Sequence, residues 1–170
     1  MADEPPPLDD ATRRLLRHTV ATLAYRAGKV MRDVPEGFAE VRAAPTSRSA
    51  LEILSHMVDL IGWGTNLARG EYRWVPIAVT DWATAVDGFF DGLTAFDVAL
   101  ADPAASYSAG VVFQGPIANA LTHVGQLALL RGMAGQPVRP ESYARATIEP
   151  GRVGREQAPP GREFDGDASK

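Results

Sequence analysis

The chain has 170 residues, 45% of them hydrophobic and 22% charged, with a net charge of -4, the profile of one soluble globular domain with room for a single core. An acidic balance without clustered Lys and Arg argues against nucleic acid as a partner. The absence of cysteine excludes disulfides, thiolate-bound zinc, iron–sulfur clusters and a thiol nucleophile.

Residues 1–9 read as a flexible N-terminal arm. The opening MADEPPPLDD is acidic and Pro-rich and lacks the charge and apolar run of a signal peptide. No stretch approaches the ~20 apolar residues of a membrane span, so the expectation is a cytoplasmic protein with no membrane partner. Asp9 or Asp10 supplies a helix cap. Ala11, Leu15, Thr19, Leu23, Ala27 and Val30 then recur at helical spacing, which predicts helix 1 over about 10–32. Pro35, Gly37 and Pro45 break the next stretch. Helix 2 is expected to be capped by Thr46 or Ser47 and to end near Ala68, with Leu51, Ile53, Leu54, Met57, Val58, Leu60, Ile61 and Leu67 inward. The segment EYRWVPIAV is aromatic and extended. Thr80 or Asp81 caps helix 3, whose apolar face is Trp82, Val86, Phe89, Phe90, Leu93, Phe96, Val98 and Leu100, closed by Pro103.

A loop over 104–112 leads to helix 4, with Pro116 in its first turn and Gly135 as its C-terminal cap. Residues 137–148 are expected to lie extended against the bundle, pinned by Val138, Tyr143 and Ile148. Residues 149–170 are rich in Pro, Gly and charge, and are expected to be disordered. Four helices without strand alternation give an all-α four-helix bundle over 10–148.

The three histidines of the chain are His18, His56 and His123, each near the middle of a different predicted helix. At ~1.5 Å rise per residue they fall at similar heights in a bundle, and three converging imidazoles make a site for a divalent metal with an open position. Asn119, His123 and Gln126 share one face of helix 4. Asp59, one turn after His56, is a solvated carboxylate by default and otherwise an acceptor for a histidine N–H. Trp63, Trp74 and Trp82 flank the ends of helices 2 and 3, with core packing favoured over walling a ligand cleft. Gly125 suits a close helix contact beside His123.

TSRSALEILSHMVDLIGW in helix 2 and NALTHVGQLALLRGMAGQPV in helix 4 resemble the DinB superfamily of four-helix bundles over roughly residues 10–140. The His–x–Gly–Gln element from His123 to Gln126 carries much of the likeness. The resemblance implies a three-histidine site holding nickel or zinc, one ligand in helix 2, matched by His56, and two in helix 4 four residues apart, the second matched by His123. The first of that pair is Asn119 here, and a carboxamide is a poorer ligand for these metals than an imidazole. We read His18 as its replacement. Relatives of this kind include thiol-dependent transferases using bacillithiol or mycothiol, and homodimers are common among them.

Two functions follow. One is a metal-dependent enzyme in which the ion lowers the pKa of a bound thiol or water, for S-transfer of a low-molecular-weight thiol or for hydrolysis. The other is a non-catalytic bundle that binds a small ligand or serves a stress response, its metal site degenerate. The direction of His18 discriminates them, because without it two imidazoles and an amide remain. No nucleophile–base arrangement identifies a catalytic residue.

Overall fold

The computed structural model describes residues 8–164. The described chain is all-α, with four long helices and no strand: α1 (Asp10–Met31), α2 (Ala50–Ala68), α3 (Trp82–Ala101), a single turn α4 (Ala109–Val112) and α5 (Ala118–Met133). No helix among the described residues is long and apolar enough to cross a membrane.

Local chemistry sets each helix start. Asp9 accepts the Thr12 N–H at 2.8 Å, and Asp81 accepts that of Thr84 at 2.8 Å. Helix α2 begins at Ser49 rather than at the expected Thr46 or Ser47. Ser49 and Glu52 close a reciprocal capping box, whereas the Ser47 hydroxyl is occupied in a turn with Ala44. The last helix starts earlier than expected, because Ser108 caps α4. Pro116 then falls inside the helical run, and the π turn Phe113–Ile117 absorbs it by widening the backbone ladder where a proline has no N–H to give. Gly135 takes the left-handed conformation after α5, φ 78°.

The long helices pack as a ring: α1 touches α3 and α5, and α2 touches α3 and α5. Arg17 pairs with Asp97 and Gly28 faces Phe90, so α1 and α3 are antiparallel. Val58 lies beside Gly88, Ile61 beside Gly92 and Phe96 beside Gly64, so α2 and α3 run parallel. His56 meets His123 and Trp63 meets Gly115, so α2 and α5 are antiparallel. The helices come close at Gly64, where a Cβ would sit 2.8 Å from the Phe96 ring and 3.1 Å from Pro116.

Two faces differ from expectation. Leu15 is 62% exposed, while Leu16, Val20, Leu23, Ala24 and Ala27 are buried. A strict four-residue spacing drifts about 40° per step around a helix, so the Ala11–Leu15–Thr19 row leaves the core that Leu23 and Ala27 enter. On α3, Val98 is 64% exposed and its neighbour Asp97 is buried instead, held by Arg17 through two hydrogen bonds of 2.9 and 2.8 Å. Gly125 does not mark a close helix contact either, since nothing lies within 4 Å of where its Cβ would be.

The C-terminal segment also differs. Of the expected arm, residues 1–7 lie outside the described residues, and Leu8 packs on the core. Residues 137–148 lie against the bundle as expected: Val138 and Ile148 pack on the core, and Tyr143 makes an edge contact with Tyr25 at 6.4 Å. The disorder expected from residue 149 does not hold through residue 164; residues 165–170 lie outside the described residues. Val153 is buried, and Glu141 and Glu163 form an antiparallel bridge. Lys29 donates to Glu141 at 2.8 Å and to Glu163 at 2.6 Å, and the Tyr25 hydroxyl donates to Glu141 at 2.5 Å. A polar clamp on α1 thus replaces the branched apolar residues that the composition lacks.

Burial alone would raise the Glu141 carboxyl, but the bonds from Lys29 and Tyr25 outweigh it and hold it below the usual range. A depressed carboxyl contributes stability above its unfolded pKa, about 4.3, and that contribution is lost as pH falls through the folded value. Urea denaturation at stepped pH from about 6 to 3 is therefore expected to show a steeper acid loss for the wild type than for Glu141→Gln. The glycine contacts give a paired expectation: Gly64→Ala costs about 1–3 kcal/mol by overpacking, whereas Gly125→Ala gains up to about 1 kcal/mol from helix propensity. Equilibrium denaturation of both variants checks the pair.

Candidate functional site

The antiparallel packing of α2 and α5 brings two of the three histidines together. The rings of His56 and His123 lie 5.0 Å apart, edge to face at 84°. Gln126, one turn on from His123, accepts at Oε1 from the His123 Nδ1–H across 2.7 Å. In a neutral imidazole that tautomer leaves the lone pair of Nε2 free. Burial, Arg48 and His123 together push His56 below the ordinary imidazole pKa, against Asp59, which favours its charged form. His56 is therefore neutral at pH 7.

His18 is not brought to this pair. It lies two residues from buried Leu16 and two from buried Val20, and two residues on a helix is about 200° of rotation. Its side chain thus leaves α1 on the side away from the core, and α1 and α2 are not neighbours in the ring. Among the described residues no three His, Cys, Asp or Glu side chains are grouped so as to hold a metal ion. Asn119 is exposed one turn before His123, and its side chain makes no hydrogen bond among the described residues.

Asp59 does not orient an imidazole. Its Oδ1 accepts the Ile77 N–H at 2.7 Å, which pins the strap of residues 69–81 across the outer face of α2. Asn66 holds the same strap by donating to the Arg73 carbonyl at 2.8 Å. The strap lays Trp74 against His56, ring centres 5.8 Å apart, and packs Tyr72 and Trp74 on Trp63 at 6.0 and 5.8 Å. Trp63 rests in turn on Gly115, where a Cβ would come within 2.9 Å of its ring. Trp63 and Trp74 therefore form an aromatic cover on the outer side of α2 beside the pair, and Trp82 packs elsewhere, edge-on to Phe38 at 5.1 Å.

On its other side His123 lines an open cleft of about 400 Å³ between the start of α2 and the end of α5. Ile53, Leu129 and Leu130 give it apolar walls, and Gln126, Ser47 and Arg48 its polar ones. The volume is in the range of small-ligand sites. Sequence reasoning missed Arg48 and the cleft, because the loop before α2 carries no periodicity to say where it folds. It also missed the strap's position; the aromatic run in EYRWVPIAV was its one signal.

Comparison with protein-family models, with curated proteins and with solved structures finds no match to this chain.

In a proton NMR titration of the imidazole signals, His56 is expected to titrate below the ordinary value of about 6.5. Arg48→Gln removes one of the charges opposing its protonation and is expected to move that midpoint upward. An unchanged midpoint in the variant would show that Arg48 does not act on the pair.

Proposed function

We propose that the chain is a DinB-like four-helix bundle that binds a small ligand at the His56–His123 pair, without a complete metal triad. The observation that carries this reading is that two histidines, not three, meet beside an open, largely apolar cleft. The pair offers imidazole hydrogen-bonding groups, of which His123 is held in orientation by Gln126. His18 takes no part in it. A soluble, cytoplasmic homodimer with a small-molecule partner and no nucleic acid belongs to the same reading.

A second reading keeps a divalent nickel or zinc ion. Metal–imidazole bonds of about 2.0–2.1 Å put two ring centres on one ion about 5 Å apart, which matches the pair. The Nδ1–H bond to Gln126 is also the kind of support a metal-ligating histidine receives. His56 and His123 would hold the ion, with Asn119 or water beside them. The fit is partial, because a catalytic zinc site draws on three protein ligands. When bound, the ion would supply Lewis acidity for S-transfer from a low-molecular-weight thiol or for hydrolysis, and this chain's part would be to hold the two imidazoles in place and oriented.

One experiment separates the two. Elemental analysis and zinc and nickel titrations are run on the wild type, His18→Ala and His123→Ala, alongside a small-molecule screen read by the His56 and His123 ring signals. The ligand reading expects screen hits that move both signals and no stoichiometric metal. A stoichiometric ion lost in His123→Ala and unaffected by His18→Ala would replace it with the metal reading. Loss of the ion in His18→Ala would overturn the two-histidine centre altogether.

A further inference from the structure

The cleft beside His123 has a charge it does not use. Arg42, in the same loop, is spent: it donates to the Glu52 carboxylate at 2.8 Å and to the Ser47 carbonyl at 2.7 Å. Arg48 makes no ion pair or hydrogen bond among the described residues, and no acidic side chain lines the cleft. The Oε1 of Gln126 is occupied by His123, which leaves its amide N–H groups as donors without a protein acceptor. The free polar groups of the cleft are thus mainly donors, one of them a cation. The remaining wall is apolar, and Leu129 is 62% exposed on it. Another cleft, about 370 Å³ near Trp82, carries both signs at its rim, Arg32 and Arg155 with Asp33, and has no such bias.

We propose that the cleft takes a small carboxylic acid with an apolar body, its carboxylate held by Arg48 and its body laid on Ile53, Leu129 and Leu130 toward His123. This deepens the ligand-binding reading above and rests on it. A planar guanidinium matches a carboxylate through two parallel hydrogen bonds, and a desolvating apolar wall beside that pair strengthens it. The same wall excludes a fully hydrated inorganic anion, which would leave it uncovered.

The test uses octanoate, octanol and octylamine on the full chain, by isothermal titration and by the His123 ring signal. Octanoate is expected to bind and to shift that signal, octylamine to do neither, and octanol to bind at least about tenfold more weakly than octanoate. Arg48→Gln is expected to raise the octanoate Kd at least about tenfold and to leave the weak octanol binding unchanged, a control that the cleft is still folded. Leu129→Gln is expected to weaken both. Equal binding of all three probes, or octanoate binding unaffected by Arg48→Gln, would overturn carboxylate recognition and leave the ligand-binding reading standing. If no probe moves the His123 signal, carboxylate recognition falls; if the wider screen moves neither histidine, the ligand-binding reading falls with it.

Discussion

The parallel packing of α2 against α3 is the constraint on which the rest of this molecule depends. The two helices are consecutive in the chain and touch along most of their length, with Val58 on Gly88, Ile61 on Gly92 and Phe96 on Gly64. A short turn would make consecutive helices antiparallel; parallel neighbours require the chain to travel back the full length of the first. Helix α2 has 19 residues and is about 28 Å long. The dozen or so residues of the strap reach about 40 Å when extended, which suffices only if they remain extended. An extended strap has no ladder of its own, so α2 must supply its anchors, and Asp59 and Asn66 do so from their side chains. The strap then has one path, over the outer face of α2, and that path carries Trp74 onto His56.

Much of this was legible in the residues. Asp9 and Asp81 announce their helices, the α2 face reads correctly from Ile53 to Leu67, and the His123–Gln126 spacing of one turn foretells their contact. What failed has a common cause, since periodicity gives the face of a helix only relative to a neighbour it does not name. His18 shares a mid-helix position with the other two histidines, but height says nothing of azimuth. Leu16 and Val20, two residues to either side of it, own the core. Neither reading of Asp59, a solvated carboxylate or an acceptor for a histidine N–H, names its partner, because the Ile77 amide sits on a strap whose course the sequence does not encode locally. The pairing of His56 with His123 was legible only as one of several convergences.

The C-terminal segment teaches a different lesson about composition. Poverty in branched apolar residues ordinarily means too little burial to repay the ordering of the chain. Here Lys29 reaches two carboxylates, Glu141 and Glu163, from positions far apart in sequence, and Tyr25 adds a third bond. A buried lysine with a single partner would be a poor bargain against desolvation. With two carboxylates and a phenol it becomes a clamp that fixes both ends of the loop between them. Lys29, Glu141 and Glu163, each read alone in the sequence, are surface charges.

The histidine pair and the cleft act on each other through charge. Two imidazoles with ring centres 5.0 Å apart resist double protonation, and a cation at Arg48 adds to that resistance at His56. His56 is thereby held toward its neutral form at pH 7, which leaves a nitrogen lone pair available. An anion seated on Arg48 would cancel the charge that opposes His56 protonation. Binding couplings are reciprocal, so a centre that gains proton affinity on taking up an anion must also gain anion affinity on taking up a proton. On the proposed binding mode Arg48 would have a double role: in the empty cleft it favours neutral His56, and in the filled one it would couple ligand to proton. The α2 capping box makes that coupling local, because it fixes Ser49 and Glu52, and with them the start of the helix that carries His56, directly beside the Arg48 backbone.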